Sequence, residues 1–143
     1  GNVLHSTGTK NIELLGGLIK KMPKTSIFFL IGALAASALP PFNGFIGEWM
    51  IYKSIVQASS QIGSILYSAP IILSGVVLAF TGALAAYGFV KIFGIGFLGL
   101  PRSEKAKIAK EAPRPMTFPM ACLAFLSILL GIFPSIIMSL LNN

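Results

Sequence analysis

A long apolar run is cut by two adjacent prolines and then carries one carboxylate: Ser26-Ile-Phe-Phe-Leu-Ile-Gly-Ala-Leu-Ala-Ala-Ser-Ala-Leu-Pro-Pro-Phe-Asn-Gly-Phe-Ile-Gly-Glu-Trp49. No single straight helix can pass through it. Proline lacks an amide donor and its ring clashes with the preceding turn, so Pro40-Pro41 stops any helix that reaches it. The apolar block 25–39 reaches about 22 Å as a helix, short of a hydrocarbon core of roughly 30 Å. Asn43 is placed to N-cap a second half-helix from Gly44 to about Ala58. The halves together are too long for one straight span, and each alone is too short. A discontinuous membrane helix over 25–58 follows, tolerated where protein or cavity water satisfies the backbone groups that the break frees.

The 143 residues are 55% hydrophobic and 10% charged, against about 25% charged in an ordinary soluble domain. The core is therefore shared with lipid and neighbouring helices. A formal charge of +7 raises nucleic acid as a partner, and the placement of the charges dismisses it. Lys10, Lys20, Lys21 and Lys24 precede the first apolar block, and Arg102, Lys105, Lys107, Lys110 and Arg114 lie between the last two. The connection 58–68 and the tail after Ser139 carry no charged side chain. This alternation places both basic segments on the cytoplasmic side.

Residues 1–24 read as a cytoplasmic-side connector. Ile12, Leu15, Leu18, Ile19 and Met22 fall near one face of an amphipathic stretch, loosened by Gly16-Gly17. A full-length helix is expected over 69–91, with Gly75, Ala79, Gly82 and Ala86 on one stripe that lets another helix approach closely. Lys91 snorkels from its cytoplasmic end. Residues 98–115 form a basic loop with a short helix over 103–111, and 116–141 form the last helix, with Pro119 in its first turn and Pro134 bending its far end. The fold class is an all-α membrane protein with about three crossings, the first a discontinuous helix broken at Pro40-Pro41. An opening Gly1-Asn2-Val3-Leu4, without Met, reads as the middle of a longer protein.

Glu48 is the leading candidate for chemistry. A charge at membrane depth costs at least a few kcal/mol and persists where a cavity, a partner or a proton stabilises it. The helix N-terminus favours the anion and burial favours the acid, so proton exchange is one role; pairing with a Lys or Arg on a neighbouring helix is the other. Lys53 lies about 140° around the helix from Glu48 and reads either as a proton-transfer group or as an interfacial anchor beside Tyr52. His5 sits in a polar boundary segment and reads as a surface hydrogen-bonding residue; Ser74, Thr81 and Tyr87 are usual in packed membrane helices. Cys122 and His5 are the only residues of their kinds, too few for a protein-made zinc or iron–sulfur site. Gly94-Ile-Gly96-Phe-Leu-Gly99 has dinucleotide-fingerprint spacing but ends an apolar helix instead of following a strand. No cofactor, metal or catalytic residue is expected in this chain.

Three stretches carry a resemblance. His5 through Pro23 is similar to the connector before the broken helix in the antiporter-like membrane subunits of complex I, multisubunit cation/proton antiporters and group 4 hydrogenases. Ser37-Ala-Leu-Pro-Pro-Phe-Asn-Gly-Phe-Ile-Gly-Glu-Trp49 resembles their discontinuous twelfth helix. Arg102 through Glu111, with Pro113 and Met116, looks most like the branch formed by the hydrogenase-4 and formate hydrogenlyase membrane subunits. The resemblance implies that 1–143 is the C-terminal part of a proton-translocating, antiporter-like transmembrane domain. It further implies that Glu48 stands for the ionisable residue of the broken helix, at the proton-exit end of a buried hydrophilic axis, and that Pro40, Pro41 and Gly44 form the break.

The implied function is translocation of H⁺ or Na⁺ in a redox-driven, oxidoreductase-type complex, alongside other membrane and hydrophilic subunits. The implied location is an energy-transducing membrane, the prokaryotic inner membrane, with the basic loops cytoplasmic. The alternatives are a non-conducting structural component, or membership of a multisubunit cation/proton antiporter.

Overall fold

Apolar runs in this chain become helices, and prolines, positive-φ glycines and polar clusters end them. The structure, a computed structural model, describes residues 1–134. Among the described residues the helices are α1 (Asn2–Thr7), α2 (Leu18–Lys21), α3 (Pro23–Ala36), α4 (Asn43–Gln61), α5 (Ile65–Phe97), α6 (Glu104–Lys107) and α7 (Arg114–Ile132), with a 3₁₀ turn at Ile12–Leu14. No strand occurs among them. The chain is all-α. Two helices, α5 and α7, are long and apolar enough to cross a membrane, and α3 is apolar but shorter. Their large side chains point outward, Leu84 at 69% and Phe118 at 70% exposure, as lipid or neighbouring helices require.

Helices α3 and α4 run antiparallel to α5 and meet it one after the other. Phe29 of α3 lies 5.0 Å from Phe97 and 6.4 Å from Phe93 between ring centroids. Farther along α5, Gly82 meets Glu48 of α4, and Gly75 meets Ile55 and Tyr52. The small-residue stripe thus does what its spacing predicts at these two glycines. Helix α7 packs against both α3 and α4.

Several boundaries differ from those the sequence implies. The helix expected over 69–91 runs from Ile65 to Phe97. It begins ahead of Pro70, which forfeits only a bond near the helix start. It continues past Gly94 and Gly96 because Phe93 and Phe97 stack on each other at 5.3 Å, and Gly99, at φ 77°, follows its end. Asn43 does not cap α4: it is the first helical residue, and Phe42 is the N-cap, with no side-chain bond. The helix expected over 103–111 shrinks to Glu104–Lys107, with Ser103 Oγ accepting from the Ala106 amide at 3.2 Å. Helix α7 ends at Ile132, just before Pro134; the rest of the span expected to 141 lies outside the described residues.

The buried core sits at the basic end. Leu15, Leu18, Met22, Phe97, Ala106, Ala109 and Ala112 pack together there, joined by Phe29, Phe93, Val3 and Met116. The connector is less regular than its pattern implies, because Gly16 and Gly17 take φ of 135° and 62°. A β-carbon on Gly16 would lie 2.5 Å from the Leu100 carbonyl oxygen, and one on Gly17 would lie 2.8 Å from Pro101 Cδ. Leu15, Leu18 and Met22 are consequently buried, whereas Ile12 and Ile19 remain exposed.

Candidate functional site

The break is built by the turn 37–42, with Ala38 at φ 50° and a cis Pro40-Pro41 peptide. Three of the last four carbonyls of helix α3 find partners in the turn. Those of Ala33, Leu34 and Ala35 accept the amides of Ser37, Leu39 and Ala38 at 3.0, 3.2 and 3.3 Å. The Ser37 hydroxyl also donates to the Ala33 carbonyl at 2.8 Å. The protein itself thus satisfies these backbone groups at the break. Two glycines make the arrangement fit. A β-carbon at Gly44 would run into the Ala35 carbonyl oxygen, and one at Gly131 of α7 into the Pro41 carbonyl oxygen and the Phe42 backbone.

Glu48 projects from α4, one helical turn beyond Gly44. Its side chain is half-buried against α5. The two carboxylate oxygens stand 3.5 and 3.6 Å from the place a β-carbon on Gly82 would occupy. Gly82 lies beside the midpoint of α5. Among the described residues Glu48 makes no ion pair and accepts no side-chain hydrogen bond. Lys53 does not approach it. That lysine is exposed on a different face of α4, shared with Trp49, Val56 and Gln57. Lys91 lies 5.9 Å from the Tyr87 ring centroid at the basic end of α5, a cation–π contact suited to an anchor. His5 is exposed in the last turn of α1.

A second constellation closes the basic end, and sequence reasoning missed it. The Glu111 carboxylate accepts the Lys24 amide at 2.8 Å, the Thr25 amide at 3.3 Å and the Thr25 hydroxyl at 2.5 Å. It thereby caps the N-terminus of α3 from the far side of the sequence, where helix amides lack internal partners. Asn2 donates to Thr25 Oγ1 at 3.5 Å. Ser6 Oγ both donates to the Lys110 carbonyl at 2.6 Å and accepts the Lys110 amide at 2.9 Å. Burial alone would raise the pKa of Glu111, but the Thr25 hydroxyl and the amides of Lys24, Thr25 and Ala112 outweigh it and hold the carboxyl below its ordinary value.

Among the described residues, an all-helical arrangement with two helices long and apolar enough to cross a membrane, and a third apolar helix stopped by a Pro-Pro turn, defines a class, the integral membrane proteins. Residues 1–74 match the NADH:quinone oxidoreductase/Mrp antiporter transmembrane family, and the chain belongs to it. It is 43% identical over 132 residues to formate hydrogenlyase subunit 3 of Escherichia coli strain K12, covering 92% of this chain and 22% of that protein. Hydrogenase-4 component B of the same strain is 41% identical over 136 residues, 94% of this chain and 20% of its own length. A Na(+)/H(+) antiporter subunit of Alkalihalophilus pseudofirmus is 34% identical over 139 residues, 96% and 17% respectively. The chain spans about a fifth of the length of these relatives.

Proposed function

We propose that this chain forms the part of an antiporter-like membrane subunit in which Glu48 takes up and releases a proton, or binds sodium, partway across an energy-transducing membrane. The supporting observation is the position of Glu48: beside Gly82 near the middle of α5, one turn past the break, with no ion-pair partner among the described residues. An isolated carboxylate at such depth is stabilised by a proton, a cation or cavity water. Helices α3 and α4 act as one interrupted crossing, a reading favoured by their successive antiparallel contacts along α5. With α5 and α7 that makes three crossings, the basic ends cytoplasmic.

In this reading residues 1–143 are the C-terminal part of a longer translocating domain in a prokaryotic inner membrane. The higher identity to the formate hydrogenlyase and hydrogenase-4 relatives favours a redox-driven complex with further membrane and hydrophilic subunits. The antiporter relative keeps sodium as the alternative ion. Charge displacement in upstream membrane helices alters the proton affinity of Glu48, and water beside the break connects it to one aqueous side. Lys53 forms no ion pair with Glu48 and faces another way on α4, so a proton-transfer role for it would be separate from that carboxyl.

The test is Glu48→Gln in the full-length protein, assayed for ion movement in inverted vesicles. Loss of most transport with intact assembly is the expected result. Transport at the unsubstituted level would leave an architectural role alone.

A further inference from the structure

Lys53 is the one basic side chain that does not belong to the basic end. The other ten (Lys10, Lys20, Lys21, Lys24, Lys91, Arg102, Lys105, Lys107, Lys110 and Arg114) flank the connector, the end of α5 or the loop around α6. Because Glu48 is level with Gly82 and Ile55 with Gly75, Lys53 lies between these levels, past the middle of α5 toward its neutral end. Its face continues through Trp49 (59% exposed), Val56 (67% exposed) and Gln57, a stripe at helical spacing that lines a shallow concavity no other described element enters. The four acidic residues of the chain are Glu13, Glu48, Glu104 and Glu111, and none pairs with Lys53.

Two occupants compete for such a face. Lipid would leave the ammonium to snorkel to the surface, but lysines serving that purpose concentrate on the cytoplasmic side, where the other ten basic residues of this chain already lie. A second membrane helix carrying a carboxylate would complete the charge and cover the apolar stems of Trp49 and Val56 together. We propose that this face of α4 docks a membrane helix from outside this chain, and that the helix presents a carboxylate to Lys53 with Gln57 bordering the pair. The proposal stands whether or not Glu48 carries protons.

Photo-crosslinking in native membranes tests it, with benzoylphenylalanine at Gln57 of the full-length protein, Lys53 retained, and adducts sequenced by mass spectrometry. The expected adduct is a membrane-helix peptide with Asp or Glu within a turn of the attachment point. Lys53→Glu should then lower the assembled protein about tenfold, and Lys at the identified acidic position should restore it, since an unpaired buried charge is the costly state. Adducts to lipid alone, or to a helix lacking a carboxylate near the attachment point, would overturn the proposal. So would a double charge swap no better assembled than either single change.

Discussion

The Glu48 carboxylate rests on the bare backbone of Gly82, its two oxygens 3.5 and 3.6 Å from the position a β-carbon there would take. Glycine at that point brings the acid-bearing helix close to α5 without filling the space around the acid. A methyl at that distance is an ordinary van der Waals contact; a longer side chain would have to displace the carboxylate.

Gly82→Ala should therefore retain assembly and most transport, whereas Gly82→Leu should assemble and lose transport about tenfold or more, because misplacing a reacting group by an ångström is costly. Vesicle assays of the two variants, normalised to assembled protein, check this. Equal transport in both would show that the spacing is immaterial.

Gly44 and Gly131 hold the break from opposite sides, and each has backbone where its β-carbon would go. Alanine at either position should destabilise the protein by about 1–3 kcal/mol through overpacking. Gly47, with open space at its β-carbon position, provides the control: Gly47→Ala should be neutral or stabilising by up to about 1 kcal/mol. Thermal unfolding of the purified full-length variants in detergent separates them.

Glu111 gives the basic end a defined pH response. Its pKa in the folded chain is lowered, so its stabilisation is complete above the unfolded value of about 4.3 and is lost as pH falls through the lower folded value. Hydrogen exchange at Lys24 and Thr25 should be slow and well protected at neutral pH, with protection falling only in acid. Glu111→Ala should remove about 1 kcal/mol at neutral pH and abolish that acid dependence. Unchanged protection in the variant would mean that the cap contributes nothing.

Much of this organisation is legible in the sequence because it is local. Two prolines stop a helix wherever they stand, and glycines seven residues apart fall on one face of α5 at Gly75 and Gly82. The Glu111 cap is not legible, since it joins residues 86 and 87 positions apart and a glutamate in a basic loop looks like a solvated charge. Gly131 escaped notice for the same reason: its partner is the turn at Pro41 and Phe42, a long way back along the chain. The closure of the α3 carbonyls also depends on turn geometry at Ala38 that no propensity marks. Sequence locates Glu48, but its face toward Gly82, and the separate face of Lys53, emerge only from packing.

Infrared difference spectroscopy on the full-length protein in lipid, recorded during turnover and compared with Glu48→Gln, addresses the central claim most directly. The account predicts a carboxylic-acid C=O band, absent from the variant, that appears and disappears reversibly as the proton gradient is imposed and released. A Glu48 carboxyl fixed in one protonation state throughout turnover would contradict it.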